Sequence, residues 1–161
     1  VKIARLAQTF GAGVLPGENR VFAQFARSAM KGSDIVLHTE GKSEGNYCYT
    51  ADAVRALLTI LVKGENMQAY NVGNLKCSIL KNQKLKSHIT IADMAKFVVE
   101  KIAEKPIKVV FDIPKENKFG YASDTKMHLA ATRLMALGWQ PETDLEESYR
   151  RLIASMKNRN V

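Results

Sequence analysis

Short apolar runs of strand length alternate along this chain with segments whose apolar residues recur at helical spacing. The strand-like runs are residues 1–7, 35–38, 69–72 and 107–111. Residues 20–31 carry apolar side chains every three or four positions, and Gly32 ends that pattern. Residues 53–62 are apolar almost all round, which predicts a helix packed on several sides with Gly64 as its C-cap. The alternation predicts an α/β fold.

Three later helices have N-terminal signals in the sequence. Thr90 and Asp93 have the spacing of a capping box, and Asp124 is placed to cap a second helix. Thr143, with an acidic residue three positions on, is expected to cap the last helix. That helix is expected to face the core with Leu145, Tyr149, Leu152, Ile153 and Met156.

The composition is that of one soluble domain. The chain has 161 residues, of which 46% are hydrophobic and 25% charged, and no apolar run approaches the length of a membrane span. Its two cysteines, Cys48 and Cys77, are far apart and indicate neither a disulfide scaffold nor a metal site. His88 and His128 have no acidic or cysteine partner at ligand spacing, so no metal site is expected. We expect a cytoplasmic protein.

A net charge of +8 raises nucleic acid and membrane surfaces as partners. The basic residues, however, are spread along the chain, and their densest cluster has no interleaved aromatic residues. We expect neither partner. The charge favours a solvated surface, or attraction for a phosphorylated small molecule.

Three sequence elements occur in one order and span nearly the whole chain. They are ARLAQTFGAG (4–13), TEGKSEGNYCYTADAVRA (39–56), and residues 124–126 followed by LGWQP (137–141). They resemble the L-R-P-x-N-V-Y-G-P, G-D-G-x-x-x-R-D-F-V-Y-V-x-D-V-A-x-A and D-x-S/T-K-x-x-x-x-L-G-W-x-P segments of the extended short-chain dehydrogenase/reductases, the NAD-dependent epimerases and dehydratases. The resemblance implies the C-terminal part of a Rossmann-type enzyme, with its small substrate-binding subdomain.

The family's dinucleotide fingerprint and its Tyr-x-x-x-Lys catalytic pair precede the first element, and neither is found in the chain. We therefore expect residues 1–161 to be a single substrate-binding portion of a larger enzyme whose N-terminal half is absent. By resemblance, that enzyme uses NAD to epimerise or dehydrate a sugar, carried as a nucleotide sugar. A homodimeric full-length enzyme stays open. The chain by itself is expected to hold no catalytic residue and not to bind NAD.

The resemblance also places binding residues. Leu6 and Ala7 would lie against the nicotinamide, and Gln8 stands where the family's Asn contacts the phosphate or sugar. His38 matches a position where relatives place an aromatic residue beside the base, although a lone His at a strand end is as often structural. The candidate substrate-binding residues are Gln8, Asn19, Arg20, His38, Lys42 and Asn46.

Two departures from the family weaken the nucleotide assignment. The two arginines that clamp the nucleotide diphosphate in the family fall at Gly45 and near Tyr121. Arg20, Lys42 or Lys118 could supply point charges instead. Otherwise the substrate carries a different anionic group, or none.

Residues 75–88 form a Lys-rich insertion that the family lacks, and we expect a hairpin or a flexible surface loop there. This insertion and the lost arginines support a rival hypothesis. The chain would then be a non-catalytic binding or regulatory module that retained the fold.

The segment with Gly11, Gly13 and Gly17 lies between a strand and a helix, as a dinucleotide-binding turn does. Three residues separate the apolar strand from the first glycine, and Pro16 delays the helix, so the helix N-terminus would not point at a pyrophosphate. We favour a mobile substrate loop, in which glycine provides backbone conformations closed to other residues.

Overall fold

The computed structural model describes residues 1–73, 88–116, 120–121 and 123–159. The strands in these ranges are β1 (Ile3–Leu6), β2 (Gln8–Phe10), β3 (Ile35–Leu37), β4 (Glu44–Tyr49), β5 (Ala69–Val72), β6 (His88–Thr90) and β7 (Val109–Phe111). The helices are α1 (Val21–Lys31), α2 (Thr50–Lys63), α3 (Ile91–Phe97), α4 (Thr132–Ala136) and α5 (Leu145–Arg159), and a π-helical segment, Val98–Ile102, continues α3. The predicted α/β fold is confirmed.

The strands form three small sheets. β1 pairs in parallel with β5, and β3 pairs in parallel with β7. β4 lies between β2, to which it is parallel, and β6, to which it is antiparallel. The predicted strand over residues 1–7 ends at Leu6, and after Ala7, whose N–H donates to the Val72 carbonyl at 2.8 Å, the chain enters the second sheet.

The larger core lies between α1, α5 and the β2–β4 pair. Its centre is aromatic: the Phe10 ring packs against Phe22, Tyr47 and Tyr149 at centroid distances of 5.0, 6.0 and 5.5 Å. Burial, with a smaller contribution from Tyr47, raises the pKa of Tyr149 well above its ordinary value. The inward residues predicted for the last helix are confirmed, since four are buried and Ile153 is partly buried.

The prediction that residues 53–62 pack on several sides is wrong for the described part of the chain. α2 buries Ala53, Ala56 and Ile60, whereas its opposite face is open to solvent. The exposed apolar residues of that face are Val54, Leu57, Leu58, Leu61 and Val62. The apolar character of the helix was predicted correctly. Which elements pack against each of its sides cannot be predicted from a segment that is apolar all round.

Asp52, in the first turn of α2, joins this helix to the segment before α5. Its carboxylate accepts hydrogen bonds from the backbone N–H groups of Glu142 and Thr143 at 3.2 and 3.0 Å, and it pairs with Arg55. The indole of Trp139 donates to the Asp52 carbonyl at 3.0 Å. The second and third elements of the resemblance therefore contact each other.

Two predicted helix caps are wrong. Asp144, rather than Thr143, accepts the N–H of Glu147 at the start of α5, because the helix begins at Leu145 and Asp144 is the residue directly before it. Asp124 caps no described helix, since α4 begins only at Thr132. The capping role of Thr90 is confirmed by a 3.0 Å bond from the Asp93 N–H.

The Lys-rich insertion predicted at residues 75–88 lies outside the described residues except for its last position, and so does Lys118. Across the described parts of the chain, every helix is too short or too polar to cross a bilayer.

Candidate functional site

Two adjoining cavities form a cleft at the carboxyl ends of the parallel strands β3 and β7. Their volumes are about 460 and 260 Å³. Both are lined by His38, Thr39, Tyr121, Ser123 and Asp124. Ligands of open α/β sheets bind outside the carboxyl ends of the strands, so this cleft is the candidate site that the topology favours.

His38 follows β3 directly and lies where the two cavities meet. Its Nδ1 is 3.0 Å from the carbonyl oxygen of Asp112, the residue after β7. Because a carbonyl can only accept, Nδ1 carries the hydrogen, and this contact orients the ring at the wall of the cleft. The structure thus places the predicted binding residue His38 in a cavity.

The floor of the cleft is polar. The Ser43 hydroxyl donates to Asp124 Oδ1 at 3.2 Å and accepts the Thr125 N–H at 3.2 Å. Lys42 lies beside this site, paired with Glu40, and its pKa is raised mainly by Glu40 with a further contribution from Asp124. The cleft therefore offers hydroxyl, imidazole, carboxylate and ammonium groups, a set that suits a hydroxyl-rich ligand.

Arg20 and Asn19 lie at the approach to α1, next to Val21, which lines the smaller cavity. The Arg20 guanidinium is 2.6 Å from the Glu18 carboxylate and lowers the pKa of Glu18 to about 2. The Asn19 carbonyl accepts a hydrogen bond from the Gln24 side chain. Any anion that binds Arg20 must share the guanidinium with Glu18.

The other predicted residues lie away from these two cavities. Leu6 is exposed at the end of β1, and Ala7 is buried against Gly73. Gln8 is partly buried in β2, opposite Tyr47 of β4. Their assignment to the nicotinamide and the substrate stays a prediction.

Asn46 is almost completely buried and has a structural contact. Its side-chain oxygen accepts the Leu129 N–H at 2.7 Å, and its amide is 3.5 Å from the Leu129 carbonyl. It thereby fastens the segment before α4 to β4. Its contact with substrate stays a prediction.

The glycine loop before α1 packs on α5. Gly13 and Gly17 have φ angles of +90° and +80°, conformations that residues with a side chain rarely adopt. The Gly13 N–H donates to the Ser155 hydroxyl at 3.0 Å and is therefore engaged within the chain. This contact argues against the loop as a pyrophosphate cradle.

Sequence reasoning missed the cleft residues Thr39, Ser43 and Ser123. These side chains are small and ordinary, and they meet only because residues 39–43 and 123–125 come together in the fold. The sequence signal for these residues was that the two segments lie in or next to the second and third family-like elements, residues 39–56 and 124–126.

Residues 1–73 match the NAD dependent epimerase/dehydratase family. Among curated proteins, dTDP-D-glucose 4,6-dehydratase of Mus musculus is 24% identical over 154 residues, which cover 95% of this chain and 40% of that protein. UDP-glucuronic acid decarboxylase 5 of Arabidopsis thaliana is 26% identical over 148 residues, covering 91% of this chain and 38% of that protein. The chain thus spans about two fifths of the length of these relatives.

Two solved enzyme structures share the fold of this chain. UDP-glucose 4-epimerase of Thermotoga maritima, solved with UDP-glucose, has a TM-score of 0.73 at 23% identity and covers 99% of this chain and 47% of that one. dTDP-glucose 4,6-dehydratase of Bacillus anthracis, solved with NAD, has a TM-score of 0.69 at 16% identity. The fold is therefore that of part of a Rossmann-type extended short-chain dehydrogenase.

Proposed function

We propose that this chain is the substrate-binding, C-terminal part of an NAD-dependent enzyme that epimerises or dehydrates a nucleotide sugar. The cleft beside His38 is its substrate pocket. The observation that carries the proposal is the position of this cleft, at the carboxyl ends of β3 and β7, in a chain whose residues 1–73 match the epimerase/dehydratase family. The named relatives act on dTDP- and UDP-sugars, which supports the substrate class.

An exposed apolar face supports a larger enzyme. Ile3 and Leu6 of β1 are 44% and 50% exposed, and Leu57 and Leu61 of α2 are 42% and 68% exposed. Between the two elements lies a cavity of about 380 Å³ whose lining includes Val1, Ala4, Leu57 and Leu61. A contiguous apolar surface of this kind is typical of a protein interface. We assign it to the dinucleotide-binding half.

In the full-length enzyme, bound NAD would oxidise the sugar transiently. The residues of this chain bind and orient the substrate: the small polar side chains of Thr39 and Ser123 suit sugar hydroxyls, and the His38 ring suits the face of the base. Lys42 provides positive charge next to the cleft. Holding a sugar in one orientation beside a cofactor can contribute much of the rate enhancement. The chain alone is inactive on this proposal.

Two observations favour the rival function, a binding module without catalysis. Glu40 and Asp124 bring carboxylates to the cleft, and Gly45 and Tyr121 stand at or near the positions of the family's two arginines. Carboxylates oppose a diphosphate unless a cation offsets them. A neutral ligand would then be preferred.

The test compares Lys42→Ala with Lys96→Ala in the full-length protein. Both lysines are exposed and paired with an acidic residue, Glu40 and Asp93 respectively, but only Lys42 lies beside the cleft. A charge-assisted contact of about 1.5 kcal/mol predicts an approximately tenfold rise in KM for Lys42→Ala. The turnover number should change less, because a phosphate remote from the reacting carbon is held similarly in the ground and transition states.

Lys96→Ala should leave both constants unchanged. Calorimetric titration of the chain with NAD, without the other half, should give no micromolar binding. Equal KM values for the two lysine variants, together with tighter binding of a neutral sugar than of a nucleotide sugar, would contradict the nucleotide-sugar assignment. Saturable sugar binding by a full-length protein that shows no turnover with NAD would favour the binding module. Micromolar NAD binding by the chain would overturn the assignment of the cofactor site to the other half.

A further inference from the structure

Glu44, His88 and His128 meet outside the cleft, although they are far apart in the sequence. His128 Nε2 is 2.6 Å from Glu44 Oε2, and His88 Nε2 is 3.6 Å from the same oxygen. One ligand atom from each of the three residues lies within 4.8 Å of the other two. The expectation that neither histidine has an acidic partner is therefore wrong, because the partner comes from a distant strand.

The strand register places two of these residues. Glu44 is the first residue of β4 and pairs with Thr90 of β6, while His88 pairs with Asn46 two positions further along β4. Glu44 and His88 are thus diagonal neighbours on one face of the antiparallel pair, a separation that long side chains bridge. Both are partly buried, with exposed side-chain fractions of 21% and 28%.

The third residue is held by backbone contacts on both of its sides. The Glu44 carbonyl accepts the Met127 N–H at 3.1 Å, and the Asn46 side chain accepts the Leu129 N–H at 2.7 Å. The Glu44 N–H in turn donates to the Thr125 carbonyl at 2.8 Å. His128 lies between these anchors, so β4 fixes its backbone next to Glu44 while its side chain remains 49% exposed.

We propose that Glu44, His88 and His128 form a binding site for one divalent transition-metal ion, with Zn²⁺ as the best match. Two imidazole nitrogens and one carboxylate oxygen are ligands that zinc takes in proteins, with a fourth position left for water. Harder cations such as Mg²⁺ and Ca²⁺ prefer oxygen ligands and fit this set poorly. The ion would join β4, β6 and the segment before α4.

Metal binding requires a small rearrangement, which the structure allows. Zinc–nitrogen and zinc–oxygen distances of about 2.0–2.1 Å place the ligand atoms of a tetrahedral site about 3.3 Å apart. The pair between His88 and Glu44 is already near this separation, whereas the pair between His128 and Glu44 must open. The two imidazole rings are stacked at 3.7 Å, and one must turn so that both nitrogen lone pairs point at the ion. His128 is the more exposed and the freer to turn.

The charge of the site also suits a cation. The Glu44 carboxylate contributes one negative charge to the site, and both histidines bind an ion as neutral imidazoles. Lys126, which forms an isolated β-bridge with Glu44, is a nearby positive charge that would oppose an ion. An exposed lysine can turn away into solvent.

The experiment titrates ZnCl₂ into purified, untagged protein that has been stripped with chelator, and measures binding by calorimetry. We expect saturable binding of one Zn²⁺ per chain. Glu44→Gln and His128→Ala should each weaken it by at least about tenfold, since loss of an outer-shell partner alone costs that much. The matched controls are Glu100→Gln and His38→Ala, which remove a glutamate and a histidine outside the cluster and should leave the zinc affinity unchanged.

A second measurement follows zinc binding through its effect on stability. Zinc should raise the thermal unfolding midpoint of the wild-type protein and not that of Glu44→Gln, whose circular dichroism spectrum without metal should match the wild type. Co²⁺ should give visible d–d absorption of four-coordinate type, which Glu44→Gln should lose. The proposal fails if the wild-type protein shows no saturable zinc binding, or if Glu44→Gln and His128→Ala bind zinc as the controls do.

Discussion

Asp52→Ala tests whether one buried carboxylate fastens α2 to the segment before α5. The Asp52 side chain is 2% exposed and accepts from the backbone N–H groups of Glu142 and Thr143 while it pairs with Arg55. Alanine removes all three contacts. Thr143 as a residue is 7% exposed, and its N–H then loses the Asp52 acceptor, whereas the side chain of Arg55 is 38% exposed and can be solvated.

The expected loss follows from these exposures. An orphaned buried donor costs about 1–3 kcal/mol, and hydrogen bonds to a charged group contribute about 1.5–3 kcal/mol each. Breaking a fully buried ion pair costs about 3–5 kcal/mol, but the exposure of Arg55 reduces that figure. We expect Asp52→Ala to lower the free energy of unfolding by about 3 kcal/mol. Asp52→Asn keeps one acceptor and the volume, and should cost about half as much.

The assay is urea unfolding followed by the fluorescence of Trp139, the single tryptophan. Its ring is buried, and its indole N–H donates to the Asp52 carbonyl, so its emission reports this junction. Glu142→Gln is the control, because the side chain of Glu142 is 73% exposed and its pair with Arg55 contributes little. A loss below about 0.5 kcal/mol for Asp52→Ala, equal to that of a surface substitution, would refute the reasoning.

Three further substitutions have clear expectations, and urea unfolding measures all of them. Gly17→Ala and Gly41→Ala each place a side chain at positive φ, +80° and +67°, which costs about 1–2 kcal/mol. Only at Gly41 would the new Cβ also meet backbone, 2.8 Å from the Ala92 nitrogen, so Gly41→Ala should be clearly the less stable of the two; equal losses would contradict this. Tyr149→Phe removes a buried hydroxyl that has no hydrogen-bond partner among the described residues, and it should leave stability unchanged or raise it by up to about 1 kcal/mol. A loss above about 1 kcal/mol would show that the hydroxyl is satisfied.

The sequence by itself determined the features that depend on local periodicity and short-range signals. The α/β class, the positions of α1 and α5, the inward face of α5 and the cap at Thr90 were all predictable, because each depends on residues within a few positions of one another. The resemblance of three segments also predicted the family that residues 1–73 match. His38 was predicted as a binding residue from its position in that resemblance, and the structure places it in a cleft.

Only the tertiary structure decided which distant residues meet. The elements packed against α2 decide which of its sides faces solvent, and the start of α5 at Leu145 places Asp144, rather than Thr143, at the cap. Glu44 and His128 lie 84 positions apart and come together through the pairing of β4 with the segment before α4. Contacts of this range follow from strand register and packing across the whole chain, and no spacing within one segment records them.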